Sequence, residues 1–208
     1  MTKHNAFDNM ARDWDNNPRI IKMACTFADH IKQHVPLSRQ TRALDFGCGT
    51  GQVSMHLQPL VHSVAMVDTS SGMLDILRHK IELNGIDNMH IHSGDLFQSS
   101  LAENAFELAY TLMALHHVEQ VLPALERFHQ LLKPGGYLCI GDLEPEDGSF
   151  HGEEMDVHLG FDPTALQKQL ENSGFAMRQT CRMMVMEKPD KNGIDKAYPL
   201  FFLLVQKP

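Results

Sequence analysis

LDFGCGTGQ, Leu44 to Gln52, sets glycines at positions 47, 49 and 51, directly after a short apolar run and directly before a segment with helical spacing. A glycine-rich turn from strand to helix brings backbone N–H groups and a helix N-terminus against a ligand, and it needs side chains kept clear. Two glycines would fit a tight turn in any α/β protein. Three at alternate positions, with Asp45 ahead of them, make a denser pattern. The dinucleotide fingerprint G-x-G-x-x-G requires its third glycine at position 52, where Gln52 stands. Thr50 is placed to cap the helix that follows.

Outward from this loop, short apolar runs alternate with helical patterns. Strands are expected at Ala43 to Phe46, Val61 to Val67, Met89 to Ile91, Phe106 to Leu112 and Tyr137 to Ile140. Helices are expected from Gln52, around Leu74, Leu77 and Ile81, and along the stripe from Val118 to Leu132, which the turn Lys133-Pro134-Gly135-Gly136 closes. This rhythm implies βαβ crossovers and a mostly parallel, doubly wound sheet with helices on both faces. Phe7 to Val35 reads as two helices, the second started by Pro18. After a helix begun at Asp162-Pro163, Ala176 to Met186 and Tyr198 to Gln206 read as an antiparallel hairpin at the sheet edge, which makes seven strands. The chain is expected to be one domain: a helical cap over 1–36, a ligand-binding core over 41–142, an acidic lid over 143–162, and the last helix and hairpin over 163–208.

With 208 residues the chain suits one core without staples. Its 18 basic and 26 acidic residues give a net charge of −8, which disfavours nucleic acid and anionic membrane surfaces as partners. Cys25, Cys48, Cys139 and Cys181 are widely spaced and read as reduced thiols of a cytoplasmic protein. No apolar run approaches the roughly 20 residues that span a bilayer.

Asp68 ends the second strand, and an acid there is set to accept hydrogen bonds from both hydroxyls of a ribose. With the loop in register upstream, a ribose-containing ligand is expected. Five segments in order then resemble class I S-adenosylmethionine-dependent methyltransferases: DFGCGTG (Asp45 to Gly51), MVDTSSGML (Met66 to Leu74), GDLF (Gly94 to Phe97), FELAYTLMALHHV (Phe106 to Val118) and LLKPGGYLCIGDLE (Leu131 to Glu144). Glu107 departs from the aspartate usual in that family.

The resemblance implies a Rossmann-like methyltransferase fold that uses S-adenosyl-L-methionine and releases S-adenosyl-L-homocysteine. Gly47, Cys48, Gly49 and Gly51 would form the loop around the methionine portion, with Asp45 near its ammonium. Asp68 would take the ribose, with Thr69, Ser70 and Met73 beside the adenosine. Gly94 leads into Asp95 at the adenine amino group, Leu96 would cover the ring, and Thr111 and Leu112 would border the sulfonium.

His116 and His117 follow the fourth strand at the carboxyl edge where such sheets bind ligands, so they are the candidate catalytic residues. Adjacent histidines do not match chelating spacings, and no metal is expected. From Pro134 through Gln167 there is no Lys or Arg, while Asp142, Glu144, Glu146, Asp147, Glu153, Glu154, Asp156 and Asp162 supply eight acids. A lid of that charge would favour a cationic or neutral small-molecule acceptor over an anionic one, and His151 and His158 would make it sensitive to pH. The competing readings are a nucleotide-dependent oxidoreductase and a non-catalytic S-adenosylmethionine-binding module.

Overall fold

The computed structural model describes residues 3–97, 100–151, 157–190 and 193–208. Seven strands form one sheet in the order β3-β2-β1-β4-β5-β7-β6. They are β1 (Arg42–Phe46), β2 (Ser63–Asp68), β3 (Met89–Ser93), β4 (Phe106–Leu112), β5 (Leu132–Leu143), β6 (Ala176–Pro189) and β7 (Asp195–Gln206). The first five pair in parallel, and β7 runs antiparallel between β5 and β6. A parallel sheet must be covered on both sides, so its strands bury alternate residues in two different cores. In β7, Leu200, Phe202 and Leu204 join one core, while Phe201, Leu203 and Val205 join the other.

The first core is covered by α2 (Pro18–His34), α3 (Gln52–Leu57) and α4 (Ser71–Leu83), which contribute Phe27, Leu57 and Leu77. The second is covered by α5 (Val121–Leu131) and α6 (Pro163–Asn172), which contribute Phe128 and Leu170. Capping follows the local sequence. The Asn17 side chain accepts from the Arg19 N–H before α2, and the Asp162 carboxylate accepts from Thr164 and Ala165 before α6. Among the described residues no helix is long and apolar enough to cross a membrane.

Three local expectations need correction. The N-cap of α3 is Gly51, with φ +78° and no side-chain bond, because the Thr50 hydroxyl turns away to Asp15. Helix α5 starts at Val121, because the chain first makes a short 3-10 turn over Leu115–His117. The Lys133–Gly136 turn lies inside β5 as an irregularity: pairing with β4 passes from Phe106 opposite Leu132 to Leu108 opposite Tyr137. There Glu107 accepts the Arg42 N–H at 2.7 Å and pairs with Lys133.

The strand order reverses between β1 and β4, and their carboxyl ends open a crevice in which open α/β sheets bind ligands.

Candidate active site

The loop after β1 is held by its own backbone. Gly47 and Cys48 donate their N–H groups to the Val67 carbonyl at 2.9 and 3.1 Å. Gly49 donates to one Asp68 oxygen at 2.7 Å, and Ser70 donates to the other at 2.8 Å. All three glycines have positive φ, but space decides them differently. A Cβ on Gly47 would lie 2.2 Å from the Cβ of Ala114 beyond β4, whereas one on Gly49 would meet nothing within 4 Å. Gly47 therefore lets the two strand ends close on each other, and Gly49 faces open space.

Beneath the loop, the Ser54 hydroxyl donates to Asp45 at 2.6 Å and lies 2.6 Å from the Tyr110 hydroxyl. Burial pushes the Asp45 carboxyl up to about 7; the Ser54 bond pulls it down and the nearby charge of Asp68 pushes it up. No Lys or Arg bonds to it among the described residues. A ligand ammonium is the charge that would relieve it.

Helix α1 (Lys3–Trp14) and the link to α2 are latched onto this loop by two acids. Asp8 accepts from the Ser70 hydroxyl at 2.6 Å and from Gly72 N–H at 2.8 Å. Asp15 accepts from Thr50 at 2.5 Å, Gln52 at 2.7 Å and Lys80 at 2.8 Å. Burial works to raise the Asp15 carboxyl, but Lys80, Thr50 and Gln52 together hold it below the usual range. Gln52, the residue that breaks the dinucleotide fingerprint, is thus part of the latch.

A cavity of about 980 Å³ opens over the crevice. Its wall includes Asp45, Gly47, Cys48, Gly49, Asp68, Thr69, Met73, Gly94, Asp95, Leu112 and His117. The other expected site residues stand off that wall. Gly51 packs toward Leu77, Ser70 caps α4, Leu96 is buried in the second core, and Thr111 is fully buried in β4. His116 is likewise fully buried, behind His151.

At the far end of the cavity, three segments converge. His116 Nδ1 lies 2.6 Å from Asp142 Oδ1, and the His116 backbone N–H donates to Oδ2 at 3.2 Å. Both residues are fully buried. His116 Nε2 lies 2.8 Å from His151 Nε2, and His117 closes the group. Ring nitrogens of His116, His117 and His151 all lie within 4.8 Å of one another. Ring edges of Phe7 and Phe150 pack on His117 and His151 at centroid distances of 5.1 and 4.8 Å. Burial, His116 and Lys188 together push the His151 imidazole down to about 3.

The described acids of the segment after β5 have partners in the protein. Glu144 pairs with Arg182 at 2.7 Å, Asp147 with Lys196 at 2.8 Å, and Glu146 accepts from Phe150 N–H. Glu153, Glu154 and Asp156 lie outside the described residues. His158 binds the 3-10 turn, donating its backbone N–H to His116 O at 2.9 Å, with its ring Nε2 2.9 Å from Val118 O.

Sequence reasoning missed Asp8, an acid within α1, and Asp15, in the turn after it, and it did not connect Asp142 or His151 to His116. The spacing of 26 and 35 residues between those partners carries no local pattern.

The family model described as a methyltransferase domain matches residues 44–140. An uncharacterized methyltransferase of Schizosaccharomyces pombe is 28% identical over 149 residues, which cover 64% of this chain and 52% of the relative. A demethylmenaquinone methyltransferase of Staphylococcus epidermidis is 27% identical over 148 residues, covering 68% and 61%. Over residues 44–140, just under half of its length, the chain resembles a methyltransferase domain of the class I S-adenosylmethionine-dependent kind. It spans between half and two thirds of the length of these curated relatives. In fold it is similar to a putative methyltransferase of Bacillus halodurans, with a TM-score of 0.71 at 20% identity over 87% of this chain and 98% of that one. A methyltransferase of Aquifex aeolicus gives a TM-score of 0.72 at 14% identity over the whole of both chains.

The cavity residues fit the family's methyl donor. Asp45 offers a buried carboxyl that an ammonium would relieve, the loop around Gly49 is open, and Asp68 and Met73 lie on the same cavity wall.

Proposed function

We propose that the chain transfers a methyl group from S-adenosylmethionine to a neutral or cationic small molecule bound in the same cavity. One observation carries this reading: a single continuous cavity has the glycine loop with Asp45 and Asp68 on one side and His117 and His151 on the other. When bound, S-adenosylmethionine supplies a methyl group on a sulfonium leaving group. Asp45 would hold the ammonium, Asp68 the ribose hydroxyls, and Asp95 and Met73 the adenine. Such a transfer needs a nucleophile held close and aligned more than it needs acid or base strength.

The rest of the wall supports an acceptor with an apolar body. Trp14, Met23, Met113, Phe150 and Met186 line it, and methionine surfaces adapt to irregular ligands. Demethylmenaquinone, which the staphylococcal relatives carry in their name, exemplifies the class we assign. His117 on the wall and His116 behind it are assigned to the acceptor's reacting group. The described cysteines, all free, accord with a reducing cytoplasm.

Calorimetric titration with S-adenosylhomocysteine and with NAD tests the donor assignment. We expect one molecule of S-adenosylhomocysteine per chain and no NAD heat; NAD binding the tighter of the two would overturn it.

A further inference from the structure

We propose that His116, His117 and His151 form a three-histidine site for a divalent metal ion of the zinc type, with Asp142 as the carboxylate that orients His116. The proposal uses the methyltransferase reading only for what the ion does, since the site itself stands on its own geometry.

Asp142 decides the direction of His116. With Nδ1 committed to the buried carboxylate, Nε2 is the His116 nitrogen that faces the cluster, where it shares a hydrogen bond with His151 that a metal ion would replace. A histidine whose second nitrogen is tied to a carboxylate is the arrangement metal ligands favour, because it fixes both tautomer and ring plane. His151 brings a second nitrogen to 2.8 Å from the first, and His117 brings a third within 4.8 Å.

Nitrogens bound to zinc at about 2.05 Å in a tetrahedral set stand about 3.3 Å apart. The closest pair must open by about half an ångström and the third must draw in, which is within the reach of side-chain rotation. The aromatic edges of Phe7 and Phe150 give the group the apolar shell that excludes competing water.

Three protein ligands leave a fourth position open, and His117 and His151 lie on the cavity wall. A hydroxyl or thiol of the acceptor would occupy that position. The ion would lower the pKa of that hydroxyl or thiol, its proton would leave to solvent, and the resulting anion would bond to the methyl carbon as the methyl–sulfonium bond breaks, releasing neutral S-adenosylhomocysteine.

The test is metal analysis of the full chain, purified without chelator and reloaded with Co²⁺ alone or Zn²⁺ alone. Wild type is expected to hold close to one ion per chain. Its Co²⁺ form should show visible absorption of a tetrahedral or five-coordinate nitrogen site. His117→Gln and His151→Gln should each weaken Co²⁺ binding by more than 100-fold, and Asp142→Asn by 10- to 100-fold. Circular dichroism and S-adenosylhomocysteine titration verify that each variant is folded; where Asp142→Asn fails to fold, the two histidine variants decide. No stoichiometric Co²⁺ or Zn²⁺ uptake by folded wild type, or uptake unchanged in both histidine variants, overturns the site. Because neither metal probe requires an acceptor, the site can fail while donor binding stands, and the reverse.

Discussion

The two ends of the cavity are built on opposite principles. At the donor end, backbone groups do most of the holding, and the residues come from the ends of β1 and β2 and the loops after them. At the histidine end, side chains do the holding, and Asp142, His116 and His151 meet from three separate segments. The first end follows from a local strand-turn-helix rule, and the second from packing between segments far apart in the chain. The ends touch where Gly47 meets Ala114, so that contact is the place to break the division.

Gly47→Ala is expected to have the largest effect. It adds a Cβ where 2.2 Å is available and forces an alanine into a left-handed backbone, at about 1–2 kcal/mol for the backbone and about 1–3 kcal/mol for overpacking. S-adenosylhomocysteine affinity should fall by about 100-fold or more by calorimetry. Adding Ala114→Gly removes the clash but not the backbone cost, so it should recover part of the loss. No recovery would mean that the two ends do not press on each other there.

Asp142→Ala should act on stability and spare the donor end. It leaves the buried Nδ1 and N–H of His116 without their acceptor, at about 1–3 kcal/mol for each orphaned group. A fall in Tm of several degrees is expected, about 2–4 °C per kcal/mol for a chain of this size. S-adenosylhomocysteine affinity should stay within about twofold if the ends are independent.

What could be read in the sequence divides along the same line. The run Leu44 to Gln52, the acid closing β2 and the alternation of strands with helices are local patterns, so they announced the sheet and the glycine loop at its edge. The hairpin was legible because no helix fits between Ala176 and Gln206. The latch was not legible, since nothing local tells Asp15 that it will meet Thr50, Gln52 and Lys80 at separations of 35, 37 and 65 residues. Thr50 read as a helix cap because its chemistry suits one, and a distant carboxylate outcompeted that local role. The two adjacent histidines read as a poor chelating pair, and nothing local in that pair announces His151, which the fold sets beside them.

Asp15→Ala sharpens the comparison from outside the cavity. Loss of its three side-chain bonds should loosen α1 from the donor loop, raise cleavage by a nonspecific protease at the Asp15–Asn17 link, and weaken S-adenosylhomocysteine by about tenfold, or 1.4 kcal/mol. Unchanged cleavage and affinity would make the latch a passive surface contact.

The smallest effect expected is that of pH. Asp45 faces Asp68, the Cys48 thiol and the Tyr110 hydroxyl, and burial holds the latter two protonated far above neutrality. With the Asp45 carboxyl at about 7, roughly a tenth is ionised at pH 6 and nine tenths at pH 8, so affinity for the ammonium-bearing ligand should rise by up to about tenfold between them. The stability term has the opposite sign. The folded pKa lies above the ordinary 3.8, the folded chain holds the extra proton between those values, and this group's contribution falls as pH rises through that window. Asp45→Asn should flatten both profiles.

Methyl transfer to a small neutral or cationic acceptor with an apolar body is the activity proposed for the chain. Incubating the chain with S-adenosylmethionine labelled in its methyl group and a metabolite extract, then separating the extract into apolar and polar fractions, tests it directly. Label should move into an apolar small molecule with matching release of S-adenosylhomocysteine, and Asp68→Ala should abolish it. Donor binding without transfer to any fraction, or transfer confined to anionic polar metabolites, would contradict the account.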